Sequence, residues 1–149
     1  CNNGLRIGST APYDGHPNRA APGKRALLGN GPVIVLDKGR LKLVCGTPGG
    51  ETIGQTQFQF LVNVIDRAMP IQQAIEAPRF RSSGGLAVAI EDRVAPEALA
   101  GLESRGHNLR VIAGWTATFG GAQMIFYDPA TKVLTAAADP RREAYSLAY

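Results

Sequence analysis

Gly49 and Gly50 stand between an apolar strand and a helix, in the run Val44-Cys45-Gly46-Thr47-Pro48-Gly49-Gly50-Glu51-Thr52. Backbone N–H groups at such a junction lack a partner inside the helix, and the helix dipole adds positive potential there. The chemistry this suits is stabilisation of negative charge developing on a carbonyl oxygen, as in an oxyanion hole. A tight turn that packs helix on strand is the plain structural alternative. A phosphate-binding loop does not fit, because Glu51-Thr52 stand where a Lys-Ser/Thr pair is required. No convincing nucleophile accompanies the glycines. Cys1, with thiol and α-amine in one residue, offers an alternative nucleophile.

The elements that must position this run are legible from periodicity. Val33 to Leu36 reads as a strand, Asp37-Lys38-Gly39-Arg40 as a tight turn, and Leu41 to Cys45 as the returning strand. The unbroken apolar run of the first strand predicts burial on both faces. Phe58, Leu61, Val62, Ile65 and Met69 recur at helical spacing until Pro70, and Ile71 to Ala77 forms a second short helix stopped by Pro78. Leu86 to Glu91 alternates as a strand. Pro96 opens a helix that Gly106 closes. Leu109 to Ile112, Ala122 to Tyr127 and Val133 to Ala138 follow as strands, the last two joined by a turn at 128–131. Hairpins at both ends with helices between them predict an α+β fold, a mainly antiparallel sheet covered by helices. No repeat or linker divides residues 1–149, so a single domain is expected. Residues 1–31 show no period, and such a start is expected to pack against another chain or line a site.

Composition narrows the classes. The chain has 149 residues, 44% of them apolar and 19% charged, as in ordinary globular domains. With 18 glycines and 10 prolines, many turns are expected. No apolar stretch approaches a membrane span. The net charge of +4 is dispersed over Lys24-Arg25, Lys38/Arg40/Lys42, Arg79/Arg81 and Arg141-Arg142, without interleaved aromatics. That pattern favours solvated faces or an acidic partner subunit over nucleic acid. Cys1 and Cys45 with His16 and His107 make no metal-ligand spacing, and no metal or organic cofactor is expected. Cys45, beside Leu43 and Val44, reads as a buried small residue. His107 reads as a surface residue at a helix end, His16 as a loop histidine, and Trp115 with Phe119 as core or subunit contact. The Asp139 carboxylate is expected to pair with a nearby arginine and pin the C-terminal segment. The chain opens at Cys1 without an initiator methionine or a charged-then-apolar leader, which reads as a processed subunit or a fragment.

Several ordered segments together point to one family. They include Asn2-Asn3, Pro22-Gly23-Lys24-Arg25, Gly46-Thr47-Pro48-Gly49-Gly50, Asn63-Val64-Ile65-Asp66, Glu76-Ala77-Pro78-Arg79-Phe80, Gly121-Ala122-Gln123 and Ala138-Asp139-Pro140-Arg141-Arg142. Their order from end to end resembles the C-terminal part of the small, catalytic subunit of gamma-glutamyltranspeptidase-like proteins. The resemblance implies an N-terminal-nucleophile hydrolase fold, a partial αββα sandwich. It implies a self-cleaving precursor whose new N-terminal threonine, upstream of Asn2 and outside this chain, attacks an amide with its own α-amino group as base. Gly49 and Gly50 would then donate the oxyanion hole. Partners implied are the large subunit of the same precursor, the upstream segment and a small amide substrate.

Departures from the family pattern bear on the substrate. The Asn-Asn pair of the transpeptidases is followed by a glutamine and acidic residues that bind the glutamyl amino group, but this chain reads Asn3-Gly4-Leu5-Arg6-Ile7. Leu28-Gly29 stand where two serines hold the glutamyl carboxylate. Both anchors of a free gamma-glutamyl head are therefore replaced. Asn3, Gly4, Arg6, Leu28, Gly29 and Thr47 become the substrate-binding candidates, with Arg6 suited to a negatively charged acyl group. The acylase-like branch of the family fits better than glutathione processing. A non-catalytic relative that binds a small amide or a partner chain is the alternative. In the resemblance Cys1 precedes Asn2-Asn3 but follows the true nucleophile.

Overall fold

A computed structural model describes residues 14–17, 19, 21–24 and 31–147. The chain divides into two compact units, Cys1–Asn30 and Gly31–Tyr149. In the first, an exposed Arg19–Asp14 ion pair of 3.0 Å and a Lys24 Nζ bond to the Pro17 carbonyl tie down irregular turns.

The second unit carries a four-stranded antiparallel sheet in the order β1-β2-β6-β7. Its strands are β1 (Val33–Asp37), β2 (Arg40–Gly46), β6 (Gln123–Tyr127) and β7 (Leu134–Ala138). Each end hairpin forms where its turn residues dictate. Lys38 and Gly39 take positive φ values of 50° and 78°, which suits a two-residue hairpin turn. At the other hairpin Asp128 Oδ1 accepts from the Ala130 amide and Oδ2 from the Thr131 hydroxyl. These bonds hold the Asp128 carboxyl below its usual range.

Between the hairpins lie α1 (Ile53–Ile65), α2 (Ile71–Glu76), β3 (Phe80–Ser82), β4 (Ala87–Glu91), α3 (Pro96–Glu103) and β5 (Asn108–Ile112). Helix α1 stops at Ile65, short of Pro70, because Arg67 N–H reaches back to the Val62 carbonyl and Ala68 turns left-handed at φ 53°. Pro96 occupies the first turn of α3 as expected. Gly106, at φ 87°, closes that helix. β3, β4 and β5 form a separate sheet in that order, with β3–β4 antiparallel and β4–β5 parallel across the α3 connection.

The core lies between the four-stranded sheet and the first two helices. Leu43, Cys45, Met124, Ala122 and Ala137 meet Phe60 of α1 and Ile71 and Ile75 of α2. The opposite face of the sheet is apolar and open. Ile34, Val44, Ile125 and Ala136 stand side by side in register across all four strands. Ile34 is 66% exposed and Leu36 58% exposed, which overturns the expected two-face burial of β1. The apolar run belongs to an edge strand with one covered face.

Three glutamines complete strand edges with their side-chain amides. Gln59 accepts from Phe80 N–H at 3.0 Å and donates to Phe80 C=O at 2.8 Å. Gln55, one turn earlier, does the same for Ser82 at 2.8 and 3.1 Å. Gln72 of α2 treats Ala138 of β7 likewise.

Cys45 is buried as expected, and burial pushes its thiol up to about 11. The raised value makes folding stability from this group full below the unfolded thiol range near 9 and lost as pH climbs toward 11. Cys45→Ala is therefore expected to flatten the alkaline decline of the denaturation midpoint. Native Cys45 should also resist alkylation at neutral pH until the protein is unfolded, as followed by intact mass.

Candidate active site

Strand β2 delivers Thr47-Pro48-Gly49-Gly50 to the start of α1. Gly49 lies at φ 147° and Gly50 at φ 59°, both left-handed conformations that a side chain disfavours. A single 3-10 turn (Gly50–Thr52) follows, closed by Thr52 N–H on the Gly49 carbonyl at 3.1 Å and leading into the first residue of α1. The Gly49 and Gly50 carbonyls are thereby occupied, while neither glycine N–H meets an acceptor among the described residues. Both residues are half-buried. The junction thus presents two unspent amide donors at the approach to a 13-residue helix.

A second loop braces the first. Because β2 pairs with β6 so that Gly46 faces Gln123, Thr47 lies beside Gly121. The Thr47 hydroxyl accepts from Gly121 N–H at 3.0 Å and donates to the Pro48 carbonyl at 2.9 Å. Gly120, at φ 92°, packs its Cα 3.7 Å from where a Gly49 Cβ would sit. The carbonyl before it, on Phe119, takes two buried donors, Thr56 Oγ1 of α1 at 3.1 Å and Arg79 Nη1 at 2.9 Å. A Cβ on Gly120 would stand 2.5 Å from Thr47 Oγ1 and 3.2 Å from the Pro48 carbonyl. Gly120→Ala is accordingly expected to displace the Thr47–Gly50 turn. Its measured signature is a lower melting temperature.

Behind these loops lies a buried charge cluster. Asp139 bonds Arg79 at 2.7 Å, Arg141 at 3.1 Å and Ala122 N–H at 2.9 Å. Glu91 bonds Arg141 at 2.5 Å and Arg93 at 2.5 Å. Arg79 and Arg141 also cap the end of α2 by donating to the Ile75 carbonyl, and Arg141 donates to Ala77 as well. Burial first, then the Arg141 charge, lowers the Arg79 guanidinium from its usual value, and Asp139 opposes that. Arg93 stacks 3.7 Å from the centroid of Trp115, which is 45% exposed.

Asp139 thus has the expected arginine partners. The expectation of solvated basic residues fails at Arg79 and Arg141, which are buried. Phe119 is core, as expected. His107 is half-buried, with a buried Nδ1 that meets no partner among the described residues, and so is not the simple surface residue expected. His16 belongs to the first unit. Of the substrate-binding candidates, Thr47 joins Gly49 and Gly50 in the brace. Asn3, Gly4, Arg6, Leu28 and Gly29, with Cys1, lie outside the described residues. Sequence reading missed Thr56, Arg79 and Gly120 as supports of the turn. The Gly120-Gly121 pair before β6 was the available signal.

Among the described residues no cluster of three or more His, Cys, Asp and Glu could hold a metal ion, and no helix is long and apolar enough to cross a membrane.

Comparison with known proteins places the chain in a family. The family Gamma-glutamyltranspeptidase matches residues 4–149. The chain belongs to this family. Among curated relatives of this gamma-glutamyltranspeptidase-family chain, the Acylase ACY 1 proenzyme of Pseudomonas sp. strain SE83 is 40% identical over 113 residues, 70% of this chain and 20% of the relative. The glutathione hydrolase proenzyme of Escherichia coli K12 is 34% identical over 128 residues, 85% of this chain and 21% of the relative. The chain therefore spans about a fifth of the length of these relatives. The solved gamma-glutamyltranspeptidase of Pseudomonas nitroreducens complexed with L-DON superposes with a TM-score of 0.77 at 31% identity, covering 89% of this chain and 68% of that one. The fold is α+β, that of the N-terminal-nucleophile hydrolases, as the resemblance implied.

Proposed function

We propose that this chain is the oxyanion-stabilising part of an amide-cleaving enzyme, an amidohydrolase or acyltransferase whose threonine nucleophile lies upstream. The observation that carries the reading is the pair of unspent N–H groups on Gly49 and Gly50, held in left-handed conformations by the turn and the Gly120 brace. In the reaction, the threonine hydroxyl attacks the amide carbonyl and its proton passes to the α-amino group. The oxygen that becomes negative accepts hydrogen bonds from the Gly49 and Gly50 N–H groups. Collapse expels the amine, which takes up the proton, and water or a second amine then releases the acyl group.

By the family resemblance, Asn3, Gly4, Arg6, Leu28, Gly29 and Thr47 are the residues we propose bind the acyl group, Arg6 being suited by its charge to an anionic one. The replaced glutamyl anchors, together with an acylase relative 40% identical over 113 residues, support an acyl group other than free gamma-glutamyl. The names of both relatives, each a proenzyme, support a large partner subunit cut from one precursor. The open row Ile34-Val44-Ile125-Ala136 is the face we assign to the second sheet of the sandwich.

Treatment of the processed full-length protein with an electrophilic glutamine analogue or an acylating inhibitor, followed by intact-mass and peptide analysis, tests the reading. An adduct on an N-terminal threonine is the expected result. An adduct on Cys1 would replace the threonine with the cysteine reading. No adduct and no amide cleavage would favour a non-catalytic binding relative.

A further inference from the structure

We propose that the face of the three-stranded sheet between Arg81 and Arg110 is a binding site for a small, doubly charged oxyanion. Arg81 of β3 stands opposite Ala89 of β4, and Ala89 stands opposite Arg110 of β5. The two arginines therefore leave the same sheet face with one alanine between them. Two strand spacings, about 10 Å, separate their backbones, and side chains of arginine length can converge across that gap. A cavity of about 260 Å³ lies there, and its remaining polar groups come from Ser83, Asn108 and Thr118.

The charge balance of this cavity sets it apart from the rest of the fold. Arg79, Arg93 and Arg141 each bind carbonyls or carboxylates. Neither Arg81 nor Arg110 has a hydrogen-bond or ion-pair partner among the described residues. No carboxylate of the described residues lines the cavity. Glu91, further along β4, is taken by Arg141 and Arg93. Two like charges on one cross-strand row are unfavourable, and an anion between them reverses the sign of that interaction. Guanidinium groups offer forked donors that match carboxylate and phosphate oxygens. The small side chains of Ala87 and Ala89 leave the floor free. The chemistry is a phosphate or sulfate group, or a short dicarboxylate with one end on each arginine. This site is separate from the amide-cleaving reading and stands without it.

Calorimetric titration of the full-length protein at constant ionic strength tests the inference, with inorganic phosphate in one arm and succinate in the other. Saturable binding is expected in at least one arm. A phosphate preference indicates a single charged centre, and a succinate preference indicates two. Arg81→Ala and Arg110→Ala should each weaken binding by about tenfold, the loss of one charge-assisted pair. Arg81→Lys should fall between, keeping the charge without the fork. Arg110 is exposed, so its variant keeps the test open if Arg81→Ala fails to fold. Absence of saturable binding in both arms would overturn the site. So would unchanged affinity in a folded Arg110→Ala protein.

Discussion

Under the proposed amide cleavage, exchange of the Gly50 amide for an ester in the full-length protein, by semisynthesis, is expected to lower kcat by about 10²–10³-fold, the cost of one oxyanion donor. KM should change little, because the N–H is needed once the carbonyl oxygen has become negative. The ester removes a donor while sparing the backbone path, which a side-chain substitution cannot do here. Gly49 at φ 147° and Gly50 at φ 59° would both be strained by a Cβ, so an alanine would mix backbone strain with lost hydrogen bonding. Burst kinetics on a chromogenic amide would separate the acylation step. A kcat within threefold of the unmodified protein would remove the Gly50 amide from the reaction.

The second large effect is on stability. Asp139→Ala is expected to cost about 3–5 kcal/mol in chemical denaturation, the range for breaking a buried ion pair. It would leave Arg79, Arg141 and Arg93 with the single carboxylate of Glu91 and strip Ala122 N–H of its partner. The effect should reach the candidate site. Arg79 also holds the Phe119 carbonyl, and through it the Gly120 brace. Asp37→Ala serves as the control. Its 3.8 Å contact with Lys42 is exposed and is expected to contribute under about 1 kcal/mol. Equal midpoints for the two variants would show that the cluster contributes nothing special.

The comparison of sequence with structure divides along physical lines. The hairpins were legible because their turns demand particular residues, Lys38-Gly39 at one end and Asp128 to Thr131 at the other. The helices were legible as helices, but the covered face of α1 was not: the spacing read through Phe58, Leu61, Val62, Ile65 and Met69 leaves Phe58 67% and Ile65 48% exposed, and Phe60 meets Ile71 and Ile75 in the core instead. β3 was not, since Phe80-Arg81-Ser82 is a strand only by virtue of β4 and two glutamines 21 and 27 residues away. The parallel β4–β5 pair was not singled out, because the terminal hairpins pointed to a mainly antiparallel sheet, although a strand, helix and strand in succession was already visible. At the site, the paired glycines and the pairing of Asp139 with an arginine could be read directly. The bracing by Gly120, Thr56 and Arg79 could not, because it follows from strand register. Burial of Arg79 and Arg141 left no mark in composition, since a basic residue in a carboxylate-lined interior looks the same in sequence as one in water.

The glutamine clasps on β3 and β7 have a bearing on assembly. A peptide seeking to lengthen the four-stranded sheet through its main chain would find the Ala138 end of β7 already spoken for by Gln72. Among the described residues β1 offers a freer rim, with Ile34 and Leu36 exposed beside it. Any added strand, whether from a cognate subunit or from an unwanted copy during expression, is thereby steered toward one side of the molecule. Residues 1–149 produced alone should therefore yield associated species that grow from β1.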